Sequence, residues 1–224
     1  MSLVKVESVS KSYGEVQALE NLDLKVSEGE IVGLIGPNGA GKSTAIQCMT
    51  GQHKRDSGTI EVIGTDPDQE PVEIRKKLGI LPEREDPPSF LTGAEYLDYI
   101  SEIRESDIDK EEWIDRLNLE GKMDKLTYDL SKGERQKLMI VQAFFHEPKL
   151  AFIDEPLINL DPMIQEEVKE VFKEAAENEG GVLLSTHVIS LAEEICDRVY
   201  FLKDGKAEEV DEVENLKSKF LESR

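Results

Sequence analysis

The chain opens on alternation. In "LVKVESVS" and "ALENLDLKV" apolar and polar residues take turns, the period of two that puts one side of a strand into a core. Gly14 lies between the two runs and predicts the turn that joins them. "EIVGLIG" differs: its apolar positions are nearly continuous, which predicts a strand buried on both faces. "KLAFID" and "GVLLSTH" repeat that texture farther on, each followed by a helical pattern. "STAIQCMTG" predicts a helix that stops at Gly51, and "GTIEVIG" a further short strand. "RVYFLKDGKAEEV" predicts a hairpin turning at Asp204-Gly205, and "EVENLKSKFLESR" a closing helix. Strands that alternate with helices imply an α/β fold built on a mainly parallel sheet.

From about Pro87 the period lengthens. "LTGAEYLDYISEIR" begins with a capping box, Thr92 with Glu95, and sets Tyr96, Ile100 and Ile103 on one helical face. "DKEEWIDRLNLEG" turns Trp113, Ile114 and Leu117 inward and stops at Gly121. "YDLSKGERQKLMI" carries a second capping box, Ser131 with Glu134, ahead of an apolar stripe of Leu138, Met139 and Val141. Asp161-Pro162 predicts a helix N-cap with proline at the first helical position. The chain therefore reads as one domain over 1–224. Residues 1–86 and 148–224 form its α/β part, and 87–147 form a mostly helical lobe.

Charge narrows the partners. With 48 acidic residues against 27 basic, the formal charge of −21 repels phosphate backbones and anionic lipid surfaces alike, so no nucleic-acid partner is expected. Cys48 and Cys196 belong to no C-x-x-C pair and read as buried thiols of a reducing compartment. No apolar run has the length of a signal peptide or a membrane span, which predicts a cytoplasmic chain.

The chemistry starts at "GPNGAGKST", Gly36, Pro37, Asn38, Gly39, Ala40, Gly41, Lys42, Ser43 and Thr44, between a buried strand and a helix. This is the phosphate-binding loop pattern G-x-x-x-x-G-K-[ST] in its required context. Glycines let the main chain wrap phosphates, and the helix N-terminus favours their charge. Lys42 would reach the β- and γ-phosphates of a nucleotide, and Ser43 would ligate Mg²⁺. "KLAFIDEP" then ends a strand in Asp154-Glu155, at the edge where open α/β sheets hold ligands. Asp154 would hold Mg²⁺ directly or through water, and Glu155 would orient and deprotonate an attacking water.

Taken together these motifs make the chain similar to the nucleotide-binding subunits of ATP-binding cassette (ABC) transporters, over nearly its whole length. "ALENLDLKVSEGEIVGLIGPNGAGKST" resembles the opening of such cassettes, "IDEPLINLDP" their run into the D-loop, and "LLSTHVI" their switch segment. "LSKGER" stands where the family usually has LSGGQ. The resemblance implies a P-loop NTPase core with a mainly parallel sheet, an N-terminal antiparallel β subdomain and a helical signature subdomain. It also implies an ATPase that uses ATP and Mg²⁺ as a head-to-tail dimer, with an identical or a paralogous cassette. Tyr13 would stack on adenine and His187 would bond the γ-phosphate. Ser131, Lys132, Gly133 and Glu134 would meet the ATP of the other subunit, with Asp161 communicating across the dimer.

Two positions depart from the family pattern. Glu83 in "LGILPERED" replaces the usual Q-loop glutamine; a carboxylate there would either bind Mg²⁺ more strongly or be repelled by the triphosphate. Lys132 replaces the first signature glycine. "LPE" and "LSKGERQKL" resemble variants of type-2 export systems, whose integral membrane permease subunits are separate chains. The resemblance then implies a cytoplasmic subunit, peripheral on the inner face of the membrane. The alternative is a soluble ABC ATPase that remodels protein or nucleic acid. A P-loop kinase or GTPase would need neither "LSKGER" nor "STH".

Overall fold

A computed structural model describes residues 1–84, 87–106, 108–157, 160–177 and 179–210, so the closing helix predicted over 212–224 lies outside the described residues. The initial alternation becomes two 12-residue strands, β1 (Ser2–Tyr13) and β2 (Val16–Ser27), joined through Gly14 at φ 61°. Val4, Val6 and Val9 of β1 and Leu22, Leu24 and Val26 of β2 are buried. β4 (Ser57–Val62) pairs antiparallel along the other edge of β1, giving a three-stranded sheet in the order β2-β1-β4.

The continuous apolar runs build the second sheet. β3 (Glu30–Ile35) lies between β7 (Gly181–Thr186) and β8 (Arg198–Lys203), in the order β5-β6-β7-β3-β8-β9. β5 is Leu78–Leu81, β6 is Leu150–Asp154 and β9 is Lys206–Val210. Every neighbouring pair is parallel except the β8–β9 hairpin, where Asp204 at φ 49° and Gly205 at φ 78° make the turn. Both central residues have positive φ, as a two-residue type I′ turn requires. The inner strands β6, β7 and β3 lack alternation because both faces are covered. In β6, Ala151 and Ile153 join one apolar core while Leu150 and Phe152 join the other. In β7, Val182 and Leu184 divide from Leu183 in the same way.

The helices are α1 (Lys42–Met49), α2 (Pro71–Lys77), α3 (Gly93–Arg104), α4 (Glu111–Arg116), α5 (Lys132–Phe144), α6 (Pro162–Glu177) and α7 (Ile189–Ile195). Both predicted capping boxes are formed, at Thr92–Glu95 and Ser131–Glu134, and Asp161 Oδ1 accepts the Ile164 N–H at 3.1 Å to cap α6. One expected face is corrected. Tyr96 is buried and Ile100 partly so, but Ile103 is 43% exposed. The last turn of α3 is held instead by Arg104, whose Nη1 donates to the carbonyls of Lys76 at 3.2 Å and Leu78 at 2.7 Å. That half-buried guanidinium stays cationic, although desolvation lowers it to about 10.

One apolar core runs without a break from the helical lobe into the sheet. Leu97, Leu138 and Phe144 belong to the same cluster as Ile153, Phe172 and Leu184. Its hinge is α5, whose Gln142 Nε2 donates to Ile80 O of β5 at 3.0 Å. Gly79 permits this approach, because a Cβ there would lie 2.7 Å from the Ala143 carbonyl oxygen. α2 and β5 were not legible: "LGIL" is four residues long, too short for any period to show. Cys48 is buried, and burial pushes its thiol up to about 11, outside the reactive range.

Candidate functional site

β3 ends at Ile35, the loop runs from Gly36 to Gly41, and α1 starts at Lys42. Its glycines are needed for different reasons. A Cβ on Gly36 would lie 2.1 Å from the Leu202 carbonyl oxygen, so that glycine lets the loop pack on β8. Gly39, at φ 83°, has open space around it and supplies the turn. No side chain caps α1 and no acid occupies its first turn, so its N–H groups and positive dipole end are left for an anion. Lys42 is only 7% exposed and folds back over the loop, with Nζ donating to Gly36 O at 2.9 Å and Pro37 O at 3.3 Å. A phosphate oxygen would replace those carbonyls as a better, charged acceptor.

The acids arrive from β6. Asp154 is its last residue, 6% exposed, and accepts a hydrogen bond from Ser185 Oγ. Glu155 follows in the left-handed region at φ 50°, a conformation that costs a non-glycine residue roughly 1–2 kcal/mol. Its surroundings hold it there. Glu155 N–H donates to Ser185 O at 3.0 Å, Thr186 Oγ1 donates to Oε2 at 3.1 Å, and His187 Nδ1 lies 2.7 Å from Oε1. A carboxylate can only accept, so Nδ1 carries the proton and Nε2 is the ring nitrogen left for a ligand.

Asn38, Gly39, Gly41, Lys42, Ser43 and Thr44 line a cleft of about 460 Å³ together with Glu83, Asp154, Glu155 and His187. Val16, Gln17 and Ala18 of β2 complete the wall; nothing in their residue types announced them. Ser185 and Thr186 were also missed, although the "ST" before His187 was their signal. Tyr13 does not line the cleft. Its ring is 43% exposed, 5.7 Å edge-on from His53 and 5.3 Å from Lys11 Nζ. Among the described residues no cluster of three or more acids, histidines and cysteines could hold a metal by itself. Ser43, Asp154 and Glu83 are hard oxygen donors on one cleft, which suits Mg²⁺ taking its remaining ligands from phosphates and water.

Ser131, Lys132, Gly133 and Glu134 lie outside this cleft, at the N-terminus of α5. Ser131 Oγ accepts the Glu134 N–H at 3.2 Å, and Glu134 Oε2 accepts the Ser131 N–H at 2.7 Å. That main-chain donor, with Lys122 Nζ at 2.9 Å from Oε1, pulls the Glu134 carboxyl down to about 2. Ser131 and Lys132 are exposed. Asp161, also exposed, faces the start of α6 as its cap. No helix among the described residues is long and apolar enough to cross a membrane.

Residues 19–158 match the family described as ABC transporter. The uncharacterized ABC transporter ATP-binding protein YdbJ of Bacillus subtilis is 35% identical, over 91% of this chain and 67% of its own length. Among solved structures, an ATP-binding subunit of an ABC transporter superposes with a TM-score of 0.89 at 32% identity, over 99% of this chain and 94% of that one. A dimeric ATP-binding cassette in a post-hydrolysis state, bound to ADP and Pi, has a TM-score of 0.80 at 28% identity, over 92% of this chain and 96% of that one.

Proposed function

The chain belongs to the ABC transporter family as an ATP-binding, ATP-hydrolysing subunit, and from that premise we propose how its residues divide the work. The observation that carries the reading is the separation of two half-sites. Lys42, Ser43, Asp154, Glu155 and His187 share one cleft, while the cap of exposed Ser131 and half-buried Glu134 stands outside it. One copy therefore holds only half of a nucleotide site. A second copy, or a paralogous cassette, set head to tail supplies the other half, and ATP joins them.

In the cleft, the phosphates lie on the open turn at Gly39 and on the N–H groups of α1. Lys42 Nζ leaves Gly36 O and Pro37 O for phosphate oxygens. Ser43, Asp154 and Glu83 would hold Mg²⁺, which supplies charge stabilisation to the phosphates when bound. Glu155 takes the proton from the attacking water, and its bonds to Thr186 and His187 aim the carboxylate before substrate arrives. His187 turns Nε2 toward the γ-phosphate and donates from it when both ring nitrogens carry a proton, Nδ1–H being given to Glu155. The partner's Ser131-capped α5 brings a positive dipole end to that same phosphate. Tyr13 stands beside the cleft, at the end of β1, as the surface for adenine. Glu83 relays nucleotide state from the cleft to a separate integral membrane permease. That partner places the chain on the inner face of the membrane. The "LPE" and "LSKGERQKL" variants support an export system of type 2.

The test is Glu155→Gln. It should cut steady-state turnover by about 10²–10⁴-fold, the usual contribution of a positioned base, with ATP binding retained. Size-exclusion chromatography in millimolar MgATP should then show a trapped dimer. A monomer under those conditions would sink the two-half-site reading.

A further inference from the structure

The turn after Glu155 is tied to α5 by one side chain. Gln136 is 1% exposed, and its Nε2 donates to the carbonyl oxygen of Pro156 at 2.8 Å. A carbonyl only accepts, so the amide has one possible orientation. Pro156 is the residue next to Glu155, whose own N–H is fixed to Ser185 of β7. The strained left-handed residue is therefore pinned on both sides, by β7 before it and by α5 behind it. Gln136 lies five positions after Ser131 on the same helix, and helix α5 is unbroken between Lys132 and Phe144.

We propose that Gln136 is a positioning residue that couples the signature end of α5 to the catalytic carboxylate of its own subunit. The inference rests on the half-site reading above. In the assembled dimer, α5 meets the other subunit's ATP, whereas Glu155 acts on the ATP of its own cleft. A shift of α5 on engaging the partner's phosphate is carried by a buried side-chain amide to the Pro156 carbonyl, and so to the main chain directly after Glu155. One hydrogen bond thus links the two nucleotide sites, and hydrolysis in one cleft responds to occupancy of the other.

The same turn offers its own control. Gln165, on α6, donates from Nε2 to Leu157 O at 3.2 Å and Leu160 O at 3.1 Å. It steadies the same stretch of main chain with the same chemistry, but from a helix that carries no signature. Loss of either amide loosens the turn; only loss of Gln136 cuts the path to Ser131.

The experiment is steady-state ATPase kinetics on the full chain for Gln136→Met, Gln165→Met and Ser131→Ala, singly and in pairs. Gln136→Met keeps the shape and removes the donor. Its kcat should fall about 10-fold, the effect of a misaimed group, with KM within about twofold because ground-state binding is intact. Combined with Ser131→Ala, the losses should fall well short of multiplying, as expected for residues acting as one unit. Gln165→Met with Ser131→Ala should multiply. If Gln136→Met and Ser131→Ala multiply as well, or if Gln136→Met raises KM and spares kcat, the coupling is overturned. If Gln136→Met does not fold, Gln136→Asn, which withdraws the amide by one methylene, is measured in its place under the same criteria. A wild-type chain that neither binds nor hydrolyses ATP overturns the half-site reading itself, and the coupling with it.

Discussion

The phosphate-binding cleft and the tip of α5 serve the same nucleotide chemistry, yet they are built to opposite specifications. In the cleft, Lys42, Asp154 and Glu155 are each under 10% exposed and each already holds a hydrogen-bond partner. The acids are aimed, and the lysine is parked on carbonyls it can exchange for phosphate. At the tip of α5 the polar groups also satisfy one another, through the Ser131–Glu134 capping box, but they do so in the open. The first region pays for strain at Glu155 with a ring of fixed partners. The second needs no strain, because its ligand is delivered by docking. A site that must do chemistry is rigid in its own chain; a site that must recognise a partner's ligand only has to be a stable, exposed helix end.

The largest effect is expected from taking away the cleft's cation. Lys42→Ala should lower ATP affinity by about 100-fold or more, since it removes the cation that would exchange the Gly36 carbonyl for a charge-assisted bond to phosphate. Isothermal calorimetry reads this directly. Unchanged binding would remove the basis for treating the two regions as unequal. The tip of α5 should be unaffected by this change, so helix content should stay near the wild type, while the lost Nζ bonds to Gly36 O and Pro37 O should lower the melting temperature.

The two regions also differed in how much of them the sequence disclosed. The loop at 36–44 was legible in full, because glycine spacing and a following helix leave few other structures. Asp154, Glu155 and His187 converge as their positions after parallel strands imply. Ser185 and Thr186 were not singled out, because hydroxyls in "GVLLSTH" carry no distinctive period; their role emerges only when β7 lies beside β6. Gln136 was invisible for the same reason: its partner, Pro156, is 20 residues away and on another element. At α5, local chemistry sufficed, and both capping boxes were readable from four-residue windows. Ile103 misled, because periodicity cannot see that Arg104 would occupy the inward place at the helix end. Local patterns reveal caps and loops, whereas contacts between elements need the fold.

A middle-sized effect separates the regions by pH. Glu134 has an ordinary value of 4.5 and is held at about 2 by the Ser131 N–H and Lys122. A depressed folded-state value stabilises the fold above the unfolded-state value and loses that contribution as pH falls. The cap should therefore be at full strength above about pH 5 and weaken progressively toward pH 2. Glu134→Gln keeps a side-chain acceptor for the Ser131 N–H but removes the charge, so it should cost roughly 0.5–1 kcal/mol at pH 7. Urea denaturation at pH 7 and at pH 3.5 provides the check. The variant should lose less stability than wild type between the two values, and an equal loss would show that the Glu134 charge contributes nothing to the cap.

The smallest effect tests whether the departure at Lys132 matters. The capping box is made by Ser131 and Glu134, so it does not depend on the side chain between them. Glu134 already has Lys122 as its ion-pair partner, which leaves the Lys132 charge free of that duty. Gly133 is retained where close main-chain approach matters. What Lys132 adds is an exposed positive charge beside the helix end that meets the partner's phosphate. Exposed attractions of this kind are worth about 0.2–1 kcal/mol and fade with salt. Lys132→Gly should therefore reduce ATPase activity by no more than about fivefold at low ionic strength, and by less in roughly 0.5 M salt, where the Debye length is under about 8 Å. Steady-state rates over a salt series decide it. A salt-independent loss of 100-fold would mean that Lys132 makes a buried bond in the dimer, and that the tip of α5 is as preorganised a site as the cleft.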